Sequence, residues 1–198
     1  MAIMNDLDAL ALSLAIVIDT AAAGGFDHVA TAWSVGAGEW VTAWLGEAPD
    51  AASLQLLTAV SGEVHPVESW EQDGSVVGFR SVDVGSALSV AAEPVLRKRQ
   101  PMTAVGYPSV IDHPIFQLAR ASLDAERYLP YLCPWTLVGH LALFSAEEGY
   151  LTGRYYSGLR GAPVLAADGS VVGVVEDGSD AEGMPPLTRF ARLSVGAS

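Results

Sequence analysis

The side chains with catalytic chemistry are few and scattered. The chain has 198 residues, with four histidines (His28, His65, His113, His140), one cysteine (Cys133) and 23 Asp or Glu side chains. Acyl transfer by a serine hydrolase needs a hydroxyl nucleophile, a histidine base within hydrogen-bond reach, and a carboxylate that orients the histidine. No pair of residues stands at a metal-binding spacing such as H-E-x-x-H or C-x-x-C, so no metal and no cofactor are expected. His140 lies in the alternating run Leu137-Val138-Gly139-His140-Leu141, which predicts a satisfied structural histidine in a strand. His65, before Pro66, reads as a surface residue in a loop, and Asp112-His113-Pro114 reads as the cap of a helix rather than a dyad. Cys133, next to Pro134 and Trp135, reads as a small buried hydrophobe. A single cysteine excludes an intramolecular disulfide.

The elements that must position such groups are mostly short β-rich runs separated by turn residues. Ala30–Val35 and Glu39–Trp44 flank Gly36-Ala37-Gly38 and predict a hairpin. Further strands are predicted over Val76–Val82, Thr103–Val105, Leu137–Phe144, Tyr150–Tyr155, Ala162–Leu165 and Ser170–Val175, with Asp168-Gly169 as a hairpin turn between the last two. Leu7–Ile18 reads either as a helix or as a buried strand. The segment from His113 to Tyr128 reads as a short helix, ended by Pro130. Many short strands with glycine-rich turns argue for an antiparallel barrel or sandwich.

Three segments, in order, resemble the landmarks of the chymotrypsin/trypsin-like serine peptidases, especially the small bacterial ones. A-T-A-W-S-V (30–35) through W-V-T-A-W-L (40–45) is similar to that family's G-T-G-W-x-V, turn, x-V-L-T-A-A-H. Val76–Asp83 and then P-M-T-A-V-G-Y-P (101–108) resemble D-x-A-L-L-x-V and P-V-x-A-x-G-Y-P. The most specific match is G-L-R-G-A-P-V-L (158–165) with D-G-S-V-V-G-V (168–174), which resembles G-N-S-G-G-P-V-L and D-G-x-V-V-G-V. The resemblance implies an all-β fold of two packed antiparallel six-stranded barrels, residues 1–98 and 99–198, with the site between them and a short helix in the 112–128 region.

Carried over residue by residue, the resemblance puts Leu45 at the histidine position, Arg160 at the serine position, and Val76, or Ser75 with a one-residue slip, at the aspartate position. Leucine cannot accept a proton, arginine stays protonated, and valine cannot hold an imidazole tautomer. Trp44 replaces a small residue and is expected to crowd the cleft. The expectation is therefore a pseudo-protease, not an enzyme, acting as a protein- or peptide-binding or regulatory module. The alternatives are a hydrolase with relocated groups, such as Ser157 or a histidine elsewhere, and a structural or assembly subunit. The resemblance gives Gly158, Arg160 and Gly161 to the anion-binding loop, with backbone N–H donors at Gly158 and Arg160. It gives Val174 and Glu176 to the strand whose edge pairs with extended substrate. Arg160 at that place suits a carboxylate from a peptide C-terminus or an Asp/Glu side chain. The plainer alternative pairs it with the chain's own Glu47, Glu176 or Asp177.

Composition bounds the partners. Hydrophobic residues make up 51% and charged residues 17%, which is a globular balance. The formal charge of -13 repels phosphate backbones, so no nucleic acid is expected. Arg97-Lys98-Arg99 is the one basic run and reads as a solvated connection. Asp8 and Asp19 interrupt the apolar N-terminal stretch, and Asn5 and Asp6 stand where a signal sequence carries positive charge. A soluble cytoplasmic protein with an acidic-group-bearing protein or peptide partner and no membrane is expected.

Overall fold

The structure, a computed structural model, describes residues 7–20, 27–46, 50–58, 61–92, 94–109, 133–179 and 185–193. The helix expected near 112–128, with Asp112 and His113, lies outside the described residues, as does Glu47. After a short helix, α1 (Leu7–Ala11), the described residues form thirteen strands: β1 (Leu14–Asp19), β2 (Asp27–Gly36), β3 (Glu39–Ala43), β4 (Leu54–Leu57), β5 (Val64–Pro66), β6 (Ser69–Asp73), β7 (Val76–Arg80), β8 (Pro101–Gly106), β9 (Trp135–Phe144), β10 (Glu148–Thr152), β11 (Pro163–Leu165), β12 (Val171–Ser179) and β13 (Leu187–Arg192). The 7–18 stretch is thus both things in turn, a helix and then a strand buried along its length.

Strands β8 to β13 close into an antiparallel barrel in the order β10-β13-β12-β11-β8-β9. Strands β1 to β7 form one seven-stranded sheet, β5-β4-β1-β2-β3-β7-β6, a half-barrel in the place of the first of the two expected barrels. Its two edge strands follow each other in sequence, and the residues between them bond elsewhere: Val67 N–H donates to Leu54 O (3.4 Å) and Glu68 N–H to Arg80 O (2.9 Å). The sheet therefore curls into a half-barrel whose seam is the Val67–Glu68 connection, where the chain runs on from one edge strand into the other in the same direction, and not a ladder. The β2–β3 hairpin turns through Ala37 and Gly38, both in the left-handed region (φ 52° and 75°), which fits the two positive-φ positions of a tight hairpin turn.

Three apolar clusters hold these layers. One lies within the first sheet, around Ala15, Val17, Trp40, Leu56, Val77 and Phe79. A second fills the barrel, around Met102, Leu141, Leu151, Leu159, Val172 and Phe190. The third joins the two, with Leu14, Ile16 and Trp33 of the sheet against Val105, Leu165 and Val174 of the barrel. Burying these large side chains stabilises the joint by roughly 1.5–3 kcal/mol each. The connection between the units is bonded to both: Leu88 N–H donates to Ser34 O, and Ala91 N–H to Val171 O, each 2.9 Å. Among the described residues no helix is long and apolar enough to cross a membrane.

Candidate functional site

The site is assembled by backbone register. Strand β3 pairs antiparallel with β7, Ala43 opposite Val76, and Trp44 N–H donates to Ser75 O at 2.8 Å. Leu45, the next residue along, is thereby carried to the Ser75–Val76 end of β7. On the barrel side, Gly161 N–H donates to Val175 O (2.8 Å) and Val175 N–H to Ala162 O (2.9 Å), which seats the 158–162 loop against β12. Gly161 also lies hard against the first sheet. A Cβ there would collide with Thr31 O and Thr42 Oγ1 and stand 3.0 Å from Ala43 N, at a φ of +80°. Leu45, Val76 and Arg160 are thus brought together around Ala43, all three half-buried.

One buried threonine fastens this loop. Thr31, fully buried in β2, donates its N–H to Arg160 O (2.7 Å). Its Oγ1 donates to Gly158 O (2.8 Å) and accepts from Tyr107 N–H (2.9 Å). Thr42 Oγ1 donates to Thr31 O at 2.7 Å. Gly158 has φ +92°, and a Cβ there would strike Tyr107 O and Ser109 N. Only glycine fits that position at low cost.

The charges around Arg160 are arranged by β13. Arg189 Nε lies 3.0 Å from a carboxylate oxygen of Glu176, which is itself buried. The same guanidinium makes a two-pronged contact with Asp177, Nε to Oδ1 at 3.1 Å and Nη2 to Oδ2 at 3.2 Å. Both carboxylates on β12 that could have neutralised Arg160 are therefore held by Arg189, because a register shift between Val175 and Asp177 turns both toward β13. Arg160 instead donates from Nε to the neutral carbonyl of Glu176 (3.1 Å). Val174 is fully buried, so it contributes to the wall and not to an open surface. A groove of about 470 Å³ runs beside Val76, lined by Ser75, Glu148, Glu176, Arg189 and Arg192 among others.

Tyr155 was not singled out by sequence. Its ring packs on Gly178 of β12: a Cβ at Gly178 would collide with Tyr155 Cβ and stand 2.9 Å from Cγ. Burial pushes the Tyr155 phenol up, while the Arg160 guanidinium and the Arg160 backbone N–H, one of the two expected anion donors, act to lower it.

Several expectations need correction. Trp44 does not crowd the cleft; it packs on the first sheet's core, edge-on to Trp70 with ring centroids 5.9 Å apart. Cys133 is exposed, because it precedes β9 and so is not driven into the barrel by strand alternation. His140 is exposed on the outer face of β9. His65 sits on β5 rather than in a loop, with Nε2 3.7 Å from Glu63. Among the described residues, His28 is the deeply buried histidine, with neither ring nitrogen hydrogen-bonded, and burial pushes its pKa down to about 3. Ser157 is exposed, and its carbonyl accepts from Ser109 N–H at 2.6 Å. No group of three or more candidate metal ligands occurs among the described residues.

No family model matches the chain, and no curated protein matches it. Solved structures do. A Glu endopeptidase in complex with MPD superposes with a TM-score of 0.66 at 12% identity, over 92% of this chain and 85% of that one. The Rv3671c protease in its inactive form gives a TM-score of 0.67 at 12% identity, over 96% and 89%. The active form of the Rv3671c protease from M. tuberculosis gives 0.67 at 12% identity, over 96% and 80%. The expectation that this chain is not an enzyme is overturned by these neighbours, which are serine peptidases and point to a peptidase. That expectation weighed residue types at three aligned positions, whereas catalytic constellations are recognised by geometry and role, not by sequence position. At this level of identity the likeness is one of architecture, and the chain has the chymotrypsin-like serine protease fold.

Proposed function

We propose that the cleft at Arg160 binds a carboxylate of a peptide or protein, so that the chain serves as a peptide-recognition module on a trypsin-like fold. One observation carries this reading. Arg189 holds both Glu176 and Asp177, and the Arg160 guanidinium donates to a neutral carbonyl. A ligand carboxylate offers that guanidinium a charged partner in place of a neutral one, and charge-assisted hydrogen bonds are about twice as strong. The test is fluorescence polarisation with labelled peptides ending in a free carboxylate or bearing Glu. Arg160→Ala should weaken binding by about 10- to 100-fold, the equivalent of one hydrogen bond to a charged group. Unchanged affinity in Arg160→Ala disposes of the reading.

A second reading, a serine hydrolase with relocated groups, is favoured by the peptidase neighbours of the fold. The groups at hand are Ser157, exposed at the loop, and Ser109, whose hydroxyl is buried without a partner. Fluorophosphonate labelling followed by mass spectrometry separates the two: an adduct on Ser157 or Ser109 establishes the hydrolase.

A further inference from the structure

Three of the chain's ten Lys and Arg residues stand together at Arg97-Lys98-Arg99, on the connection between the first sheet and the barrel. They sit on a turn fixed at both ends. Gln100 N–H donates to Arg97 O (3.0 Å) and Arg97 N–H to Gln100 Oε1 (3.1 Å), which closes the turn. Arg99 N–H donates to Leu141 O (2.8 Å) and Leu141 N–H to Gln100 O (2.9 Å), which bonds it to β9. Arg99 has a φ of +65°, a left-handed conformation that favours glycine. A cation thus stands where the backbone suits glycine, and such outliers cluster where a side chain is in use.

All three side chains are exposed, and among the described residues none has a hydrogen-bond or ion-pair partner. This holds in a chain with a formal charge of -13, whose Arg189 by contrast takes two carboxylates. The Asp168 carboxylate shares a neighbouring hollow with Val95 and Gln100, but its own turn engages it: Oδ1 accepts from Ser170 N–H (3.0 Å) and Oγ (2.6 Å). A groove of about 470 Å³ lies among Arg97, Lys98, Arg99, Gln100 and Val95, and Val95 is 75% exposed. Three adjacent cations on a fixed backbone repel one another, and an anion seated among them relieves that repulsion.

We propose that this turn is a docking site for an acidic segment of a partner protein, a run of Glu or Asp whose carboxylates pair with the three cations while Val95 offers apolar contact to their stems. The charge of the rest of the chain favours a short peptide segment over other polyanions. Charges act over about 8 Å at physiological ionic strength. A short segment stays within reach of the turn, whereas an anionic membrane or a nucleic acid extends over the rest of a strongly acidic chain. The site shares no residue with the Arg160 cleft and does not depend on the function proposed for it.

Fluorescence polarisation with a labelled, C-terminally amidated hexaglutamate at about 50 mM salt tests it, where surface charges are little screened. Combining Arg97→Gln, Lys98→Gln and Arg99→Gly should weaken binding at least about fivefold, as three surface ion pairs together allow. Raising the salt to about 500 mM should weaken binding to the unmodified protein as well. Arg99→Gly alone separates recognition from folding: glycine adopts that φ freely, so the urea midpoint should hold while hexaglutamate affinity drops. A midpoint that falls would assign Arg99 to the fold and overturn the proposal. Hexaglutamate binding that survives the triple change, or that is lost only in Arg160→Ala, also overturns it and leaves the cleft to be judged separately. Retention by phosphatidylserine vesicles without hexaglutamate binding would assign the turn to a membrane and overturn the peptide partner.

Discussion

Thr31→Val replaces a hydroxyl by a methyl of nearly equal size at a fully buried position. The hydroxyl bridges two backbone groups, donating to Gly158 O and accepting from Tyr107 N–H. Both would lose their partner in an interior that water does not reach, since Gly158 is buried and Tyr107 is 1% exposed. Each orphaned group costs about 1–3 kcal/mol, so the variant should be roughly 2–6 kcal/mol less stable, and for a domain of this size the melting temperature should fall by about 4–24 °C. Thr31→Ser keeps the hydroxyl and removes only the methyl, which costs about 1 kcal/mol. Urea unfolding followed by tryptophan fluorescence measures both, and an unchanged slope shows that stability, not compactness, has moved. A Thr31→Val protein within about 0.5 kcal/mol of the unmodified one, or no worse than Thr31→Ser, would refute the claim that this bridge fastens the site loop to the first sheet.

Two further predictions test the frame of the site. Gly161→Ala, which drives a Cβ into Thr31 O and Thr42 Oγ1 at positive φ, should cost more than about 3 kcal/mol, whereas Gly74→Ala, also at positive φ but with nothing within 4 Å, should cost about 1 kcal/mol, both read by chemical denaturation. His28 stays neutral in the folded chain to about pH 3, against 6.5 for a free imidazole. Its contribution is fully present above pH 6.5, and below that the unfolded chain binds a proton that the folded one refuses. Stability should therefore fall on acidification from pH 6.5 toward 3, and His28→Leu should flatten the fall by up to about 1.4 kcal/mol per pH unit; parallel profiles for the two proteins would sink the assignment.

How far the sequence could be read follows local signal strength. The β2–β3 hairpin was legible because two positive-φ positions and alternating apolar residues fix it locally, and the 158–174 stretch because glycine, proline and Asp-Gly stand at fixed offsets. Strand β6, Ser-Trp-Glu-Gln-Asp, was not, because its side chains are largely exposed and its strand character comes from pairing with β7. Strand β5 spans three residues and includes Pro66, and it too exists only by pairing, with β4. At the site, the expected positions Leu45, Val76 and Arg160 could be assigned from their motifs alone. The partners of Arg160 could not, because they depend on the register shift in β12 that gives Glu176 and Asp177 to Arg189. The same holds for Tyr155, whose contact with Gly178 joins residues 23 positions apart through the barrel wall.

The central claim is that Arg160 is the carboxylate receptor of this cleft. The most direct measurement is the affinity of one peptide in two forms, with a free C-terminal carboxylate and with a C-terminal amide, for the unmodified protein and for Arg160→Ala. The account predicts that the unmodified protein prefers the carboxylate form by at least about tenfold, the equivalent of roughly 1.4 kcal/mol, and that Arg160→Ala removes the preference. Equal binding of the two forms by the unmodified protein, or a preference that survives in Arg160→Ala, would contradict it.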